Sequence, residues 1–304
     1  MMKTKLIVVA GPTASGKTAL GIELAKAVGG EIISADSMQI YKDMSIATAA
    51  PTPEEKSEVP HHLVEFLNRD EVFSVSDFCA LAEKAVGDIT ERGNVPIIVG
   101  GTGLFIDSFI DNIKFVQADT DFELRERLMK KDIDELYDEL VAIDPAAAEK
   151  IHKNNKTRVA RALEIYYSSG KTKSSQNKES RLEESPYEVL YFVVGYKNRE
   201  TLYGRINRRV DLMLQNGLLD EAKHCLEGSG KTSAQAIGHK ELKPCIEGEI
   251  SLEEAAENLK KETRHYAKRQ LTWFKKRENA VWIYADEEDI VSAAVKKSRE
   301  FLNG

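Results

Sequence analysis

Short apolar runs alternate with longer segments of three-and-four periodicity through the first hundred residues, and the same pattern returns in the last third of the chain. Residues 6–10, 31–35, 96–99, 189–195 and 281–284 are mostly apolar and of strand length, as expected of strands buried on both faces. Between them lie helical patterns. One follows residue 18; another covers 74–92, where Val75, Phe78, Leu81, Ala82, Ala85, Val86 and Ile89 share one face. Helices are also predicted from Asn198, a capping residue, with Leu202, Ile206, Val210 and Met213 facing inward, over 252–277, and at the end of the chain. Strands joined through helices must run parallel, so the pattern predicts an α/β fold, a parallel sheet flanked by helices, which the motif GPTASGKT at 11–18 marks as P-loop NTPase-like. From 119 to 186 no strand pattern occurs. That stretch reads as an all-helical insertion between core segments 1–118 and 187–304, with a polar, basic, flexible loop over 168–185.

Composition narrows the class without changing the fold. A chain of 304 residues with 42% hydrophobic and 31% charged residues is ordinary for a globular protein of about two domains. It has no apolar run of 18 residues and no signal-peptide cleavage pattern, so no membrane partner and a cytoplasmic location are expected, with a monomer as the default. Cys79, Cys225 and Cys245 are far apart and lack a CxxC spacing, which favours small buried apolar residues over a disulfide or zinc framework. The net charge of −7 argues mildly against nucleic acid, but the charge is segregated. Residues 119–149 hold eleven acids and four bases, 150–181 nine bases and two acids, and 260–277 eight bases and one acid with Tyr266, Trp273 and Phe274 interleaved. Two basic stripes of this kind exceed what a solvated face needs.

The candidate chemistry begins at residues 11–18. Gly11, Pro12, Thr13, Ala14, Ser15, Gly16, Lys17 and Thr18 match GxxxxGK[ST] between a strand and a helix, the context that makes a phosphate-binding loop. Glycines let backbone N–H groups turn toward phosphate oxygens, Lys17 adds a point charge, and Thr18 is placed to hold Mg²⁺. Asp36 follows the second predicted strand, at the same carboxyl edge of a parallel sheet; it either meets a ligand there or caps a turn. Gly100, Gly101 and Gly103 form a second glycine-rich turn, serving either a close ligand approach or a tight connection. His61 and His62 lack a third metal ligand at helical spacing, which favours hydrogen-bonded structural histidines. Arg205 and Arg209 lie one helical turn apart and repel unless an anion sits between them. Arg158 and Arg161 share a face of another helix.

GPTASGKT at 11–18, DSMQIY at 36–41, GGTGLF at 100–105, RALE at 161–164 and RHYAKRQLTW at 264–273 together resemble the tRNA dimethylallyltransferase (tRNA isopentenyltransferase) family, bacterial type, over essentially the whole chain. The resemblance implies transfer of the dimethylallyl group from dimethylallyl diphosphate to N6 of adenosine 37 in the tRNA anticodon loop. It implies Asp36 as general base, Thr13 near the bridging oxygen, and Arg209 on the departing diphosphate. Residues 11–18, Arg205 and Mg²⁺ would complete the clamp. It further implies tRNA contacts at Asp36, Ser37, Met38 and Gln39, at Thr102 and Arg125, at Thr157, Arg158, Val159, Ala160 and Arg161, and at Gln235, Ala236, Ile237, Gly238, His239 and Lys240. The base would be flipped out of a single-stranded loop, with the insertion gripping the anticodon stem. The chain departs from the family at Ala47 and Ala50, where glycine and lysine are usual, and at His239, where tyrosine is common. A small-molecule P-loop kinase, a cytokinin-forming adenylate isopentenyltransferase and an RNA-binding protein with a silent P-loop are the rival readings. The basic insertion and the long basic helix are without purpose in the first, and the extent of the C-terminal match opposes the second.

Overall fold

In the computed structural model, which describes residues 3–115, 122–180, 184–227, 230 and 233–304, six parallel strands form one sheet. They are β1 (Thr4–Ala10), β2 (Gly30–Ser34), β3 (His61–His62), β4 (Val95–Gly100), β5 (Tyr187–Gly195) and β6 (Val281–Tyr284), in the order β3-β2-β4-β1-β5-β6. Val8 pairs with Ile98 on one side and Tyr191 on the other, so β1 is central. Five strands coincide with the apolar runs. β3, only two residues long, carries no periodicity to detect.

Alternation along β1 sets the layers. Leu6, Val8 and Ala10 join the core beneath the helices Val75–Glu91 and Gly103–Ile110, while Ile7 and Val9 join the opposite core beneath Lys17–Val28 and Ile290–Asn303. Both faces of a parallel sheet are thus dry, which is why its strands read as continuous apolar runs. Caps fix several helix starts: Ser74 and Ser251 form capping boxes, and Asn198 Oδ1 accepts from the N–H of Glu200 at 2.9 Å. A further apolar cluster, built from Val210, Leu218, Ala222, Leu242, Ala255 and Leu259, joins the helices Arg199–Gln215, Leu218–Leu226, His239–Ile246 and Leu252–Phe274. No described helix is long and apolar enough to cross a membrane.

The chain divides into two compact units, Met1–Ile110 with Pro186–Gly304, and Asp111–Ser185. The expected start of the insertion, at 119, lies outside the described residues. The smaller unit is helical, with a core of Leu128, Leu136, Leu140, Ala147, Val159 and Leu163. Part of the stretch expected as a flexible loop is the helix Lys173–Glu179. Thr172 caps it by accepting from the N–H of Ser175 at 3.2 Å, and Asp144 Oδ2 accepts from the N–H of Ser174 at 2.9 Å. Ser and Thr are weak helix formers in a window average but strong caps, so composition alone misreads this segment.

Candidate active site

The glycine-rich loop leaves β1 and turns back under itself, the N–H of Ser15 donating to Pro12 O at 3.2 Å. The turn demands left-handed backbone at Ala14 (φ 62°) and Gly16 (φ 95°). At Gly11, a Cβ would stand 2.7 Å from the carbonyl oxygen of Val194. The helix Lys17–Val28 starts here, so the N–H groups of its first turn and its positive dipole end are available to an anion. Lys17 Nζ donates to Pro12 O at 3.3 Å, and Arg205 Nε braces the loop by donating to Ala14 O at 2.9 Å.

A cavity of about 280 Å³ opens beside this loop. Its polar lining includes Thr13, Lys17, Thr18, Asp36, Arg209 and Gln270, with Lys17, Asp36 and Arg209 in electrostatic reach of one another, and its apolar lining includes Ala47, Val210, Met213, Ile237 and Leu259, all members of one apolar cluster that therefore forms one side of it. Burial lowers Lys17 to about 8, with help from Arg209 and against the pull of Asp36. Burial likewise lowers Arg209, again opposed by Asp36. Two desolvated cations share one carboxylate. This polar lining is therefore short of negative charge, and a bound polyanion would supply it.

Asp36 satisfies both readings left open by the sequence. Its Oδ1 caps a turn by accepting from the N–H groups of Met38 at 2.9 Å and Gln39 at 3.4 Å, while the residue lines the cavity. The turn is locked from two sides: Ser37 N–H donates to Thr102 Oγ1 at 3.1 Å, and Gln39 Nε2 donates to the carbonyls of Thr48 at 3.2 Å and Ala49 at 3.0 Å. Thr102 thereby serves the Asp36 turn. Ser37, Met38 and Gln39 all line the cavity.

The long helix Leu252–Phe274 contributes residues to which the linear motif assigns no role. Gln270 ties the two glycine-rich turns together, its Oε1 accepting from Thr13 N–H and its Nε2 donating to Gly101 O, both at 2.9 Å. The Thr13 N–H is thus engaged within the protein. Tyr266 lines the cavity, with burial and then the charge of Asp36 holding its phenol above the usual range, and Arg269 lies 5.7 Å from its ring centroid. A signal was present. Thr263 and Gln270 are polar residues on the stripe that otherwise carries Leu259, Ala267 and Phe274, and both are buried.

Gly100, Gly101 and Gly103 serve close approach of protein to protein. A Cβ would lie 2.2 Å from Ala35 O, 2.3 Å from Gln270 Nε2 and 2.3 Å from Trp273 Cδ1, respectively. His61 Nδ1 donates to Val59 O at 2.8 Å and His62 Nε2 pairs with Glu31 at 2.7 Å, so both histidines are structural partners. Among the described residues no group of three His, Cys, Asp or Glu side chains is arranged to hold a metal. Thr18 lines the cavity as a hydroxyl beside the glycine-rich loop, an oxygen donor of the kind that fits Mg²⁺ in its usual company of phosphate oxygens and water.

Of the residues Gln235 to Lys240, the first four line the cavity and Lys240 is exposed, but His239 is only 1% exposed and points into the protein. In the helical unit Thr157 and Arg158 are exposed, whereas Val159 and Ala160 are buried in its core. Arg125 and Arg161 both bind buried Glu164, at 2.8 and 2.7 Å. Burial, with Arg158 and Arg161 nearby, also lowers the pKa of Lys173.

The family model described as IPP transferase matches residues 39–277. A tRNA dimethylallyltransferase of Acetivibrio thermocellus is 47% identical over 305 aligned positions, covering 98% of this chain and 97% of that one. Among solved structures, the full-length tRNA isopentenylpyrophosphate transferase of Bacillus halodurans aligns with TM-score 0.73 and 41% identity, over 99% of this chain and 96% of that chain. A eukaryotic dimethylallyltransferase acting on tRNA aligns with TM-score 0.84 and 32% identity, over 99% and 80%.

Proposed function

The chain belongs to the IPP transferase family, and on that premise we propose that it transfers a dimethylallyl group from dimethylallyl diphosphate to N6 of adenosine 37 in tRNA. The observation that carries the reading is the polarity of the cavity. Cations and helix N–H groups around Asp36 suit a diphosphate, and the apolar cluster that lines the same cavity suits a branched five-carbon chain.

The exocyclic amine of adenine is a weak nucleophile because its lone pair is delocalised into the ring. As N6 attacks C1 of the donor, the C1–O bond breaks and its electron pair leaves with diphosphate, while Asp36 takes the N6 proton. Oδ1 of Asp36 is held by two backbone N–H groups, so the carboxylate has one orientation and acts through its other oxygen. Lys17 and Arg209 meet the charge growing on the bridging oxygen, and their desolvated setting strengthens that attraction. Thr13 lines the same cavity, fixed through Gln270. Mg²⁺, held by Thr18 and the diphosphate oxygens, would add charge neutralisation of the leaving group. The aromatic face of Tyr266 gives a flipped adenine a stacking surface beside Asp36. Exposed Arg158 and Thr157 are assigned to tRNA in the helical unit, and Gln235 and Lys240 in the core unit. We propose further that it acts in the cytoplasm and as a monomer.

Incubation with dimethylallyl diphosphate, Mg²⁺ and unmodified tRNA, followed by nucleoside analysis, tests this directly. N6-isopentenyladenosine is the expected product. ATP hydrolysis in the absence of tRNA, with no prenylated nucleoside, would favour the kinase reading.

A further inference from the structure

Glu221 lies on the helix Leu218–Leu226, which lines no part of the cavity among the described residues, yet it joins two segments that do. Its Oε2 accepts from the N–H of Ile46 at 2.7 Å, and its Oε1 accepts from the N–H of Ala47 at 2.9 Å and from Nε2–H of His239 at 2.9 Å. Both side chains are buried, on helices whose Leu218, Ala222 and Leu242 belong to one apolar cluster. Ile46 and Ala47 open the short helix Ser45–Thr48, and Ala47, Thr48 and Ala49 form one wall of the cavity. His239 follows residues Gln235 to Gly238, which form the adjoining wall. Gly238 makes the junction. Its φ of 115° turns His239 inward, and a Cβ there would stand 3.3 Å from Ala47 Cβ.

A carboxylate in such a cluster is costly unless donors meet it, and apolar packing of equal volume would stabilise the fold as well or better. What the three hydrogen bonds add is a fixed spacing between the two walls. From the Ser45–Thr48 helix the constraint continues to Asp36, because Gln39 donates its amide to Thr48 O and Ala49 O and its backbone N–H to Asp36 Oδ1. Two positions where the chain departs from its family pattern, Ala47 and His239, meet on this one carboxylate.

We propose that Glu221 and His239 are positioning residues that set the apolar side of the cavity, and so govern recognition of the five-carbon chain of the donor. This rests on the function proposed above. His239→Phe keeps the ring and removes the donor; it should raise KM for dimethylallyl diphosphate about tenfold, the loss of one hydrogen bond to a buried charge. Inhibition by inorganic diphosphate, which occupies only the loop, should be unchanged. His239→Gln restores an N–H donor and should return KM to within about threefold of the parent, whereas Glu221→Gln should resemble His239→Phe. All are assayed below their melting transitions by circular dichroism; if His239→Phe does not fold, the contrast between Glu221→Gln and His239→Gln decides. Parallel weakening of diphosphate inhibition, a His239→Gln variant as impaired as Glu221→Gln, or unchanged KM throughout overturns the proposal. Absence of product with the unaltered protein would instead overturn the underlying function.

Discussion

The cations of the cavity and those of the helical unit look alike in sequence and differ in what balances them. Arg125 and Arg161 share Glu164, whose carboxylate is 1% exposed and bonded to both, so these two arginines are neutralised from within their own unit. Among the described residues the carboxylate acting on both Lys17 and Arg209 is Asp36, and burial lowers the pKa of each. A cation compensated inside its own unit is scaffold; one held out of water with too little counter-charge is a receptor for an anion. Arg158 on the same helix is exposed, and no carboxylate partner is shown for it among the described residues, so its charge can act at long range.

Five changes should separate the two regions, in descending order of effect. Asp36→Ala should lower prenyl transfer by about 10² to 10⁴ while tRNA binding persists, measured by single-turnover assay and filter binding; normal transfer would refute the assigned base. Arg209→Ala should cost about 10² to 10³ in kcat, as loss of one group meeting leaving-group charge does, with tRNA affinity intact. In the other region Glu164→Gln should leave chemistry alone and destabilise the protein. With both arginines about a third exposed, a loss of about 1–2 kcal/mol in a urea melt is expected, less than for a fully buried pair.

The fourth change is pH. Lys17 must be protonated to receive diphosphate and stands near 8 in the free protein, so kcat/KM for dimethylallyl diphosphate should fall as pH rises through about 8. A flat profile to pH 9.5 would remove Lys17 from the binding step. The smallest effect belongs to Arg158→Ala: a severalfold loss of tRNA affinity that shrinks as salt is added, with kcat restored at saturating tRNA. A kcat defect that saturating tRNA leaves in place would move Arg158 into the chemistry.

Much of this was legible beforehand because it is local. Strands buried on both faces announce themselves as apolar runs, and in the loop at 11–18 the left-handed torsion of Gly16 is a local requirement that glycine meets. Asp36 could be placed at the carboxyl edge because strands joined through helices run parallel. The tertiary structure decided whatever depends on partners distant in sequence. It alone shows that Gln270 holds Thr13 across 257 positions, that Gly100, Gly101 and Gly103 make room for protein, and that His239 turns inward to Glu221. It also decided which arginines are free, because charge runs count cations without showing whether a carboxylate elsewhere has folded against them. The sequence by itself determined the parallel sheet, the glycine-rich loop and the family; the burial that lowers Lys17 and Arg209 and the pairing that neutralises Arg125 and Arg161 arose only on folding, since desolvation and ion pairing are properties of neighbours in space.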